Sequence, residues 1–406
     1  MREGDIVTQG QRVMQPSFRR SVVAEPKITK LEIVQFEHTV QDLGKDYNGF
    51  NTVYEKGSTL RQRPGVFRIH TSEGVIGEYM GGRVSHLDSV AGYLIGKNPF
   101  EREKIYNDLK RGLRHTDRTA MCMVDVALWD FAGKCFGVPI HQMLGGYKKT
   151  LPAYASTYHG DENGGLHTPE AFADFALQCR EMGYPAFKIH GWGNGPIRRE
   201  MAAVLETRKR VGDEMDLMID PACEYDTWAD ALRVGRACDD ARFFWLEDAY
   251  KDGGVSIFAH NKLRSLLKTP LLQTEHIFGL EQHVDFIVNG GTDFVRTGVY
   301  EDGGITGALK VAHAAEGFGL DVEFHGGGLA HRHCVASIRN TNYYELGLLN
   351  PKVPKSKPPV YPDEYLDDLA NVDENGHVLV PQGPGLGVDL DWEFIKAHEV
   401  GRTERS

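Results

Sequence analysis

Seven ionisable residues stand at or near the ends of short apolar runs: Lys188 and His190 in AFKIH, Asp220 in DLMID, Glu247 in FFWLE, Glu275 in PLLQTE, His325 in DVEFH and Glu345 in NYYEL. Residues two apart on a strand share a side, so Lys188 and His190 project together. Asp220, Glu247 and Glu275 end three successive runs. Brought together, three carboxylates repel and raise one another's pKa, so the cluster calls for a cation. An all-oxygen set without cysteine favours a hard ion, and a site that leaves positions open for water and substrate suits Mg²⁺ better than a closed Ca²⁺ cage. Next to such an ion, the C–H beside a substrate carboxylate becomes acidic, because the enediolate formed on deprotonation is stabilised. Lys188, its pKa lowered by burial and by the ion, is the expected base on one face. His190 is expected to tune it or to touch the substrate. His325, from a later strand, would exchange a proton on the other face or protonate a leaving hydroxyl.

The elements that must position these groups follow a regular rhythm. After Thr150, strand and helix patterns alternate every 20 to 35 residues or so. Strand candidates cover 151–157, 186–190, 216–220, 243–247, 270–275, 293–298, 321–325 and 342–346, with helical stretches such as RREMAAVLETRKRVG between them. Eight parallel strands with intervening helices point to a closed α/β barrel whose chemistry lies at the strands' C-terminal ends. An open doubly wound sheet is the alternative, weakened by the absence of a G-x-G-x-x-G loop after the first strand. Before the barrel, residues 28–80 read as an antiparallel sheet with a hairpin turn at Ser72, Glu73 and Gly74 and a long polar stretch in its middle. Residues 85–146 read as helical, with a stop at Gly137 and Pro139. The division expected is an N-terminal extension (1–27), an α+β capping domain (28–148, joined by 376–406) and a barrel (149–375). Residues 351–365 are proline-rich and read as an irregular connection packed over a surface.

The bulk numbers narrow the partner. The 406 residues carry a formal charge of −11, which argues against nucleic acid and anionic membranes, although Arg19, Arg20, Arg61 and Arg63 could attract a small anion. No apolar run reaches the length of a bilayer span, and the polar N-terminus lacks a signal-peptide segment, so a cytoplasmic location is expected. The cysteines Cys122, Cys135, Cys179, Cys223, Cys238 and Cys334 are scattered, which suits reduced thiols. A small-molecule substrate is the expected partner.

The order TSEGVIGEY, VDVALWDFAGKCFGVPIHQMLGG, FKIH, LMID, WLED, TEH, GGITGALKVAHAAEGFG, FHGGG and PGLGVDLDW resembles the mandelate racemase subgroup of the enolase superfamily. The resemblance implies a modified (β/α)₇β barrel under an α+β cap built from both chain ends, and a symmetric homo-oligomer. It also implies that Asp220, Glu247 and Glu275 are the ligands of Mg²⁺, that Lys188 and His190 are the second-strand base motif, that His325 is the seventh-strand histidine, and that Glu345 hydrogen-bonds the substrate carboxylate. Three positions depart from the family pattern. Gly298 stands where an Asp commonly orients the seventh-strand histidine, which makes His325 an acid rather than a strong base unless Asp302 compensates. Ala222 and His276 replace frequent asparagines, and His276 becomes a candidate substrate contact. The polar stretch HTVQDLGKDYNGFNTVYEKGSTLRQR is the expected lid, with Tyr47, Asn48, Arg61 and Arg63 as candidate contacts. A polar lid suits a polyhydroxy acid, so the expected reaction is dehydration of an acid sugar to a 2-keto-3-deoxy acid. Epimerisation, cycloisomerisation of a sugar lactone, and a non-catalytic metal-binding oligomer are the alternatives.

Overall fold

A computed structural model describes residues 25–81, 87–116 and 118–406; Arg19 and Arg20 lie outside the described residues, as does most of the expected extension. The cap is a four-stranded antiparallel sheet in the order β15-β1-β4-β5, built from β1 (Ile28–Phe36), β4 (Gly65–Thr71), β5 (Ile76–Met80) and β15 (Glu399–Arg405). Its buried face carries Ile28, Leu31, Ile33, Phe67 and Ile69. The tight turn between β4 and β5 closes with the Gly74 amide donating to Thr71 O (3.1 Å), at a glycine φ of 75° that a side chain would resist. The last strand of the chain returns to pair with the first, Leu31 opposite Arg405.

The polar stretch expected as the lid is a two-stranded ribbon, β2 (His38–Lys45) with β3 (Thr52–Gln62). It has few apolar residues because only one face is covered: Val40, Leu43 and Tyr54 pack on Tyr158 and Val353 of the barrel side. The helix Thr119–Phe136 is the hinge-pin between cap and barrel. Nearly all of it is buried, it ends on Gly137 in the left-handed conformation, and Asp130 within it accepts the amides of Glu78 and Leu386 (both 2.8 Å), tying the cap sheet and the chain's last quarter to one side chain.

The barrel comprises β6 (Thr150–His159), β7 (Ala186–His190), β8 (Asp216–Ile219), β9 (Trp245–Glu247), β10 (Leu271–Gln273), β11 (Phe294–Thr297), β12 (Val322–Phe324) and β13 (Tyr344–Leu349). They run parallel in the order β12-β11-β10-β9-β8-β7-β6-β13. The two outer strands meet through Glu323, which accepts the backbone and side-chain amides of Asn342 (3.0 and 2.7 Å). Residues 377–379 (β14) extend β6 at its start rather than joining the cap. Among the described residues no helix is long and apolar enough to cross a membrane.

Inward-facing residues stack in layers, and this sets the site. Tyr154, Ala186, Met218, Trp245 and Leu272 form one apolar floor, with Phe294 and Tyr343 packed against it. Two residues further along six of these strands, the next inward positions are Ser156, Lys188, Asp220, Glu247, Arg296 and Glu345. An apolar layer thus supports a charged one.

Candidate active site

Lys188 lies at the centre of the charged layer, fully buried, with Nζ 3.2 Å from Asp220 Oδ2, 3.1 Å from Glu247 Oε2 and 3.0 Å from Glu345 Oε1. His190 shares its face: Nε2 is 3.1 Å from the same Asp220 oxygen, and Nδ1 donates to Thr157 O (2.7 Å). Burial opposes the Lys188 charge, but Glu247 and Glu345 outweigh it and hold the amine well above the usual lysine range. The sequence reading lowers this pKa with the ion in place; without that charge, the cage of acids favours the ammonium form.

Asp220, Glu247 and Glu275 each present an oxygen within 4.8 Å of the others. Asp220 and Glu247 follow the strand alternation, whereas Glu275 is brought round by Thr274, a non-glycine residue at φ 93° whose hydroxyl donates to Arg296 O (2.7 Å). Arg296 is fully buried and missing from the sequence reading. Its Nε is 2.8 Å from Glu247 Oε1 and its Nη2 2.7 Å from Glu345 Oε2. Even so, the cations do not balance the acids. Burial, with Asp220 and Glu275 adding repulsion, pushes Glu247 up to about 8 against the pull of Arg296 and Lys188, and burial raises Glu275 as well. Asp220 and Glu345, despite burial, are held well below the usual range by Lys188 and by Arg296 with Lys188 respectively. Oxygen-only ligands with surplus negative charge fit a hard divalent cation.

His325 follows β12 with Nε2 3.3 Å from Glu275 Oε1, and Nδ1 donates to Glu301 Oε1 (2.7 Å). Glu301, three residues beyond Gly298, supplies the orienting carboxylate that the sequence reading found missing. Gly298 is what admits it, because a Cβ there would lie 1.7 Å from Glu301 Oε2. Asp302 does not compensate; it accepts from Thr297 Oγ1 (2.6 Å) and the Gly279 amide (2.9 Å). Burial disfavours the imidazolium, but Glu275 and then Glu301 raise His325 to about 10. Glu345 spends both carboxylate oxygens on Lys188, Ser156, Arg296 and the Gly326 amide. That arrangement locks Lys188 in place.

These groups open into a cavity of ≈ 530 Å³ that reaches from the barrel mouth to the cap, where Asn51, Thr52 and Gln62 line it. The four lid contacts expected from the sequence, Tyr47, Asn48, Arg61 and Arg63, fall elsewhere. Tyr47 and Asn48 reach Glu224, at 3.4 Å and 3.2 Å from Oε2, and so fasten the ribbon's turn to the barrel. Arg61 and Arg63 are largely exposed beside Glu37, at 4.0 and 3.5 Å, and are not brought to the cavity. His276 does line it, with Nε2 3.2 Å from Asp248 Oδ2; hydrogen bonding to Asp248 and Cys223 pushes it up to about 12. Arg296 carried a signal in the sequence, a charge in the middle of DFVRTG. Glu301 carried none beyond its acidity.

Comparison with known proteins agrees with this geometry. Residues 53–145 match the N-terminal domain model of mandelate racemase and muconate lactonizing enzyme, and residues 171–394 match the enolase C-terminal domain-like model. A magnesium-complexed crystal structure of D-glucarate dehydratase from Agrobacterium tumefaciens superposes with a TM-score of 0.82 at 32% identity, covering 92% of this chain and 99% of that one. D-Gluconate dehydratase from Thermoproteus tenax is 24% identical over 79% of this chain. N-succinyl-L-Arg/Lys racemase from Bacillus cereus is 24% identical over 82% of this chain and 89% of its own length. The chain spans 65% and 64% of the lengths of the first two curated relatives it matches. With two domain models matched in order over a barrel of this topology, the chain belongs to the enolase superfamily, in its mandelate racemase and muconate lactonizing enzyme branch.

Proposed function

We propose that the protein is a Mg²⁺-dependent dehydratase of an acid sugar. Asp220, Glu247 and Glu275 would hold the ion. When bound, the ion withdraws charge from the substrate carboxylate, acidifies the α-hydrogen, and takes up the negative charge that otherwise keeps the proton on Lys188. Lys188 Nζ then accepts the α-proton. The C–H electron pair becomes the new C=C bond, the C3–O bond breaks, and His325 gives its Nε2 proton to the departing hydroxyl, which leaves as water. The enol product tautomerises to the 2-keto-3-deoxy acid. Glu345 and Arg296 keep Lys188 aimed, and Asn51, Thr52 and Gln62 offer polar contacts to a hydroxylated chain.

The reading rests on His325, whose Nδ1 is held by Glu301 so that Nε2 faces the triad. There it can give a proton to a departing hydroxyl, as a dehydratase requires, or take one from the second face, as an epimerase requires; the dehydratases among the relatives favour the first use. Epimerisation remains the second reading because a racemase is among the relatives. The two separate in D₂O with a panel of mono- and diacid sugars. Dehydration gives a keto acid that reacts with semicarbazide and is abolished by a chelator, while recovery of inverted, α-deuterated substrate without keto acid would overturn the proposal.

A further inference from the structure

The proline-rich segment 351–365 does more than cover a surface, because it delivers Lys357 to the wall of the same cavity. Its Nζ donates to Gly347 O (2.6 Å), two residues past Glu345 on β13. The acids around it are already engaged. Asp367 accepts from Arg332 Nη2 and the Tyr344 hydroxyl (both 2.8 Å), and Asp368 Oδ1 accepts the amides of Ser356 and Lys357 (2.8 and 3.2 Å). Among the described residues no carboxylate oxygen lies within 4.0 Å of the ammonium. Burial pulls its pKa below the usual lysine value despite the opposing pull of Asp367, Asp368 and Glu345. This is a cation in the cavity wall whose side-chain hydrogen bond goes to a carbonyl and not to a carboxylate.

It stands across the barrel from the triad. In the strand order, β9 with Glu247 is separated from β13 by three strands on either side, so the two face each other across the mouth. The carboxylate triad centres on β9. Lys357 stands over β13 and further out along the strand direction than Glu345.

Resting on the acid-sugar reading above, we propose that Lys357 forms a second anion subsite that takes the distal carboxylate of a diacid sugar, so that the preferred substrate is an aldarate rather than an aldonate. One terminus of the chain lies at the triad and the other on Lys357. The deciding experiment uses matched pairs, a hexarate and the hexonate of the same hydroxyl configuration, with Mg²⁺ and the full chain. Turnover is measured in wild type, and Kd is measured in a His325→Asn background that holds the sugars without eliminating water. The hexarate is expected to bind tighter than the hexonate, and Lys357→Met or Lys357→Gln to cost the hexarate about tenfold to hundredfold while leaving the hexonate within about twofold. Hexonate behaviour also reports that the variants fold. The inference is overturned by equal losses for both sugars in both variants, or by no hexarate preference to begin with. If the affinity difference depends on Lys357 while wild type produces no keto acid, the subsite stands and the dehydratase reading falls.

Discussion

Two buried carboxylate clusters in this molecule are built from the same residue types and come to opposite electrostatic states. In the cap sheet, Glu32 accepts from Arg68 Nη1 and pairs with His70 Nε2, both at 2.9 Å, and bonds Arg402 of the final strand. Against the cost of burial, His70 and then Arg68 hold its pKa below the usual value. At the barrel mouth, Glu247 has Lys188 and Arg296 beside it yet is pushed up to about 8, because burial is joined there by Asp220 and Glu275. Glu32, with two arginines and a histidine as its partners, is a finished structural joint. Asp220, Glu247, Glu275 and Glu345, sharing Lys188 and Arg296 with His325 at the edge, make an unfinished one in which Glu247 and Glu275 stay raised, and the missing charge is what a catalytic ion would bring. The comparison teaches that function lies in the deficit of neutralisation, since acidic residues are present at both places.

The most severe way to break the barrel-mouth arrangement is to remove its central cation. Lys188→Ala is expected to lower kcat by about 10³-fold or more, near the upper range for loss of a positioned base, and to abolish α-proton exchange into D₂O. Lys188→Arg separates charge from base: it keeps a cation among Asp220, Glu247 and Glu345, so thermal stability returns toward wild type while exchange stays absent. Exchange that survives in both variants would assign the base elsewhere.

A milder change isolates His325. Glu301→Ala removes the acceptor of its Nδ1 proton, and a loss of about 10- to 100-fold in kcat with little change in KM is expected for a partner that orients a catalytic imidazole. The sharper form moves the carboxylate to the strand end that the superfamily commonly uses, by combining Gly298→Asp with Glu301→Ala. The paired change should recover part of the loss, whereas Gly298→Asp alone should do harm, because its side chain would enter the space now held by Glu301. Activity unaffected by Glu301→Ala would remove that residue from the site.

These two experiments also mark where the sequence was readable. Asp220, Glu247 and Lys188 could be found because strand alternation ties each to an apolar floor residue two positions earlier, Met218 under Asp220, Trp245 under Glu247, Ala186 under Lys188, whereas Glu275 was found only as the acid that ends its run. Glu301 could not, because its approach depends on the path of a loop and on the absence of a Cβ at Gly298. Lys357 was hidden for the same reason, in a segment whose prolines fix local backbone but not its destination. The strands of the ribbon at 38–62 were not picked out because its apolar residues line one face only, and its lid candidates were chosen by polarity. Polarity did not distinguish Asn51, which lines the cavity, from Tyr47 and Asn48 on Glu224 or Arg61 and Arg63 beside Glu37.

The smallest expected effects test the comparison itself, by changing one carboxylate to its neutral amide at each cluster. Folding lowers the Glu32 pKa, so its ionised form adds stability that is present above the unfolded carboxylate value and is lost as pH falls through the lower folded one. Glu32→Gln should therefore destabilise the protein at neutral pH by about 2 kcal/mol, the scale of a charge-assisted bond removed from a buried cluster, and the difference should shrink as pH drops below the ordinary glutamate range. Glu247 is raised on folding, so the sign reverses: its contribution is highest in acid and declines as pH rises toward about 8. Glu247→Gln in chelator-treated protein should leave the melting temperature unchanged or raise it at pH 8, while weakening the stabilisation that added Mg²⁺ confers on wild type. Calorimetry from pH 4 to pH 8, with and without Mg²⁺, reads both variants. If the two substitutions shift the melting temperature in the same direction at pH 8 without metal, the barrel mouth is as well neutralised as the cap, and the argument for a cation among Asp220, Glu247 and Glu275 loses its electrostatic basis.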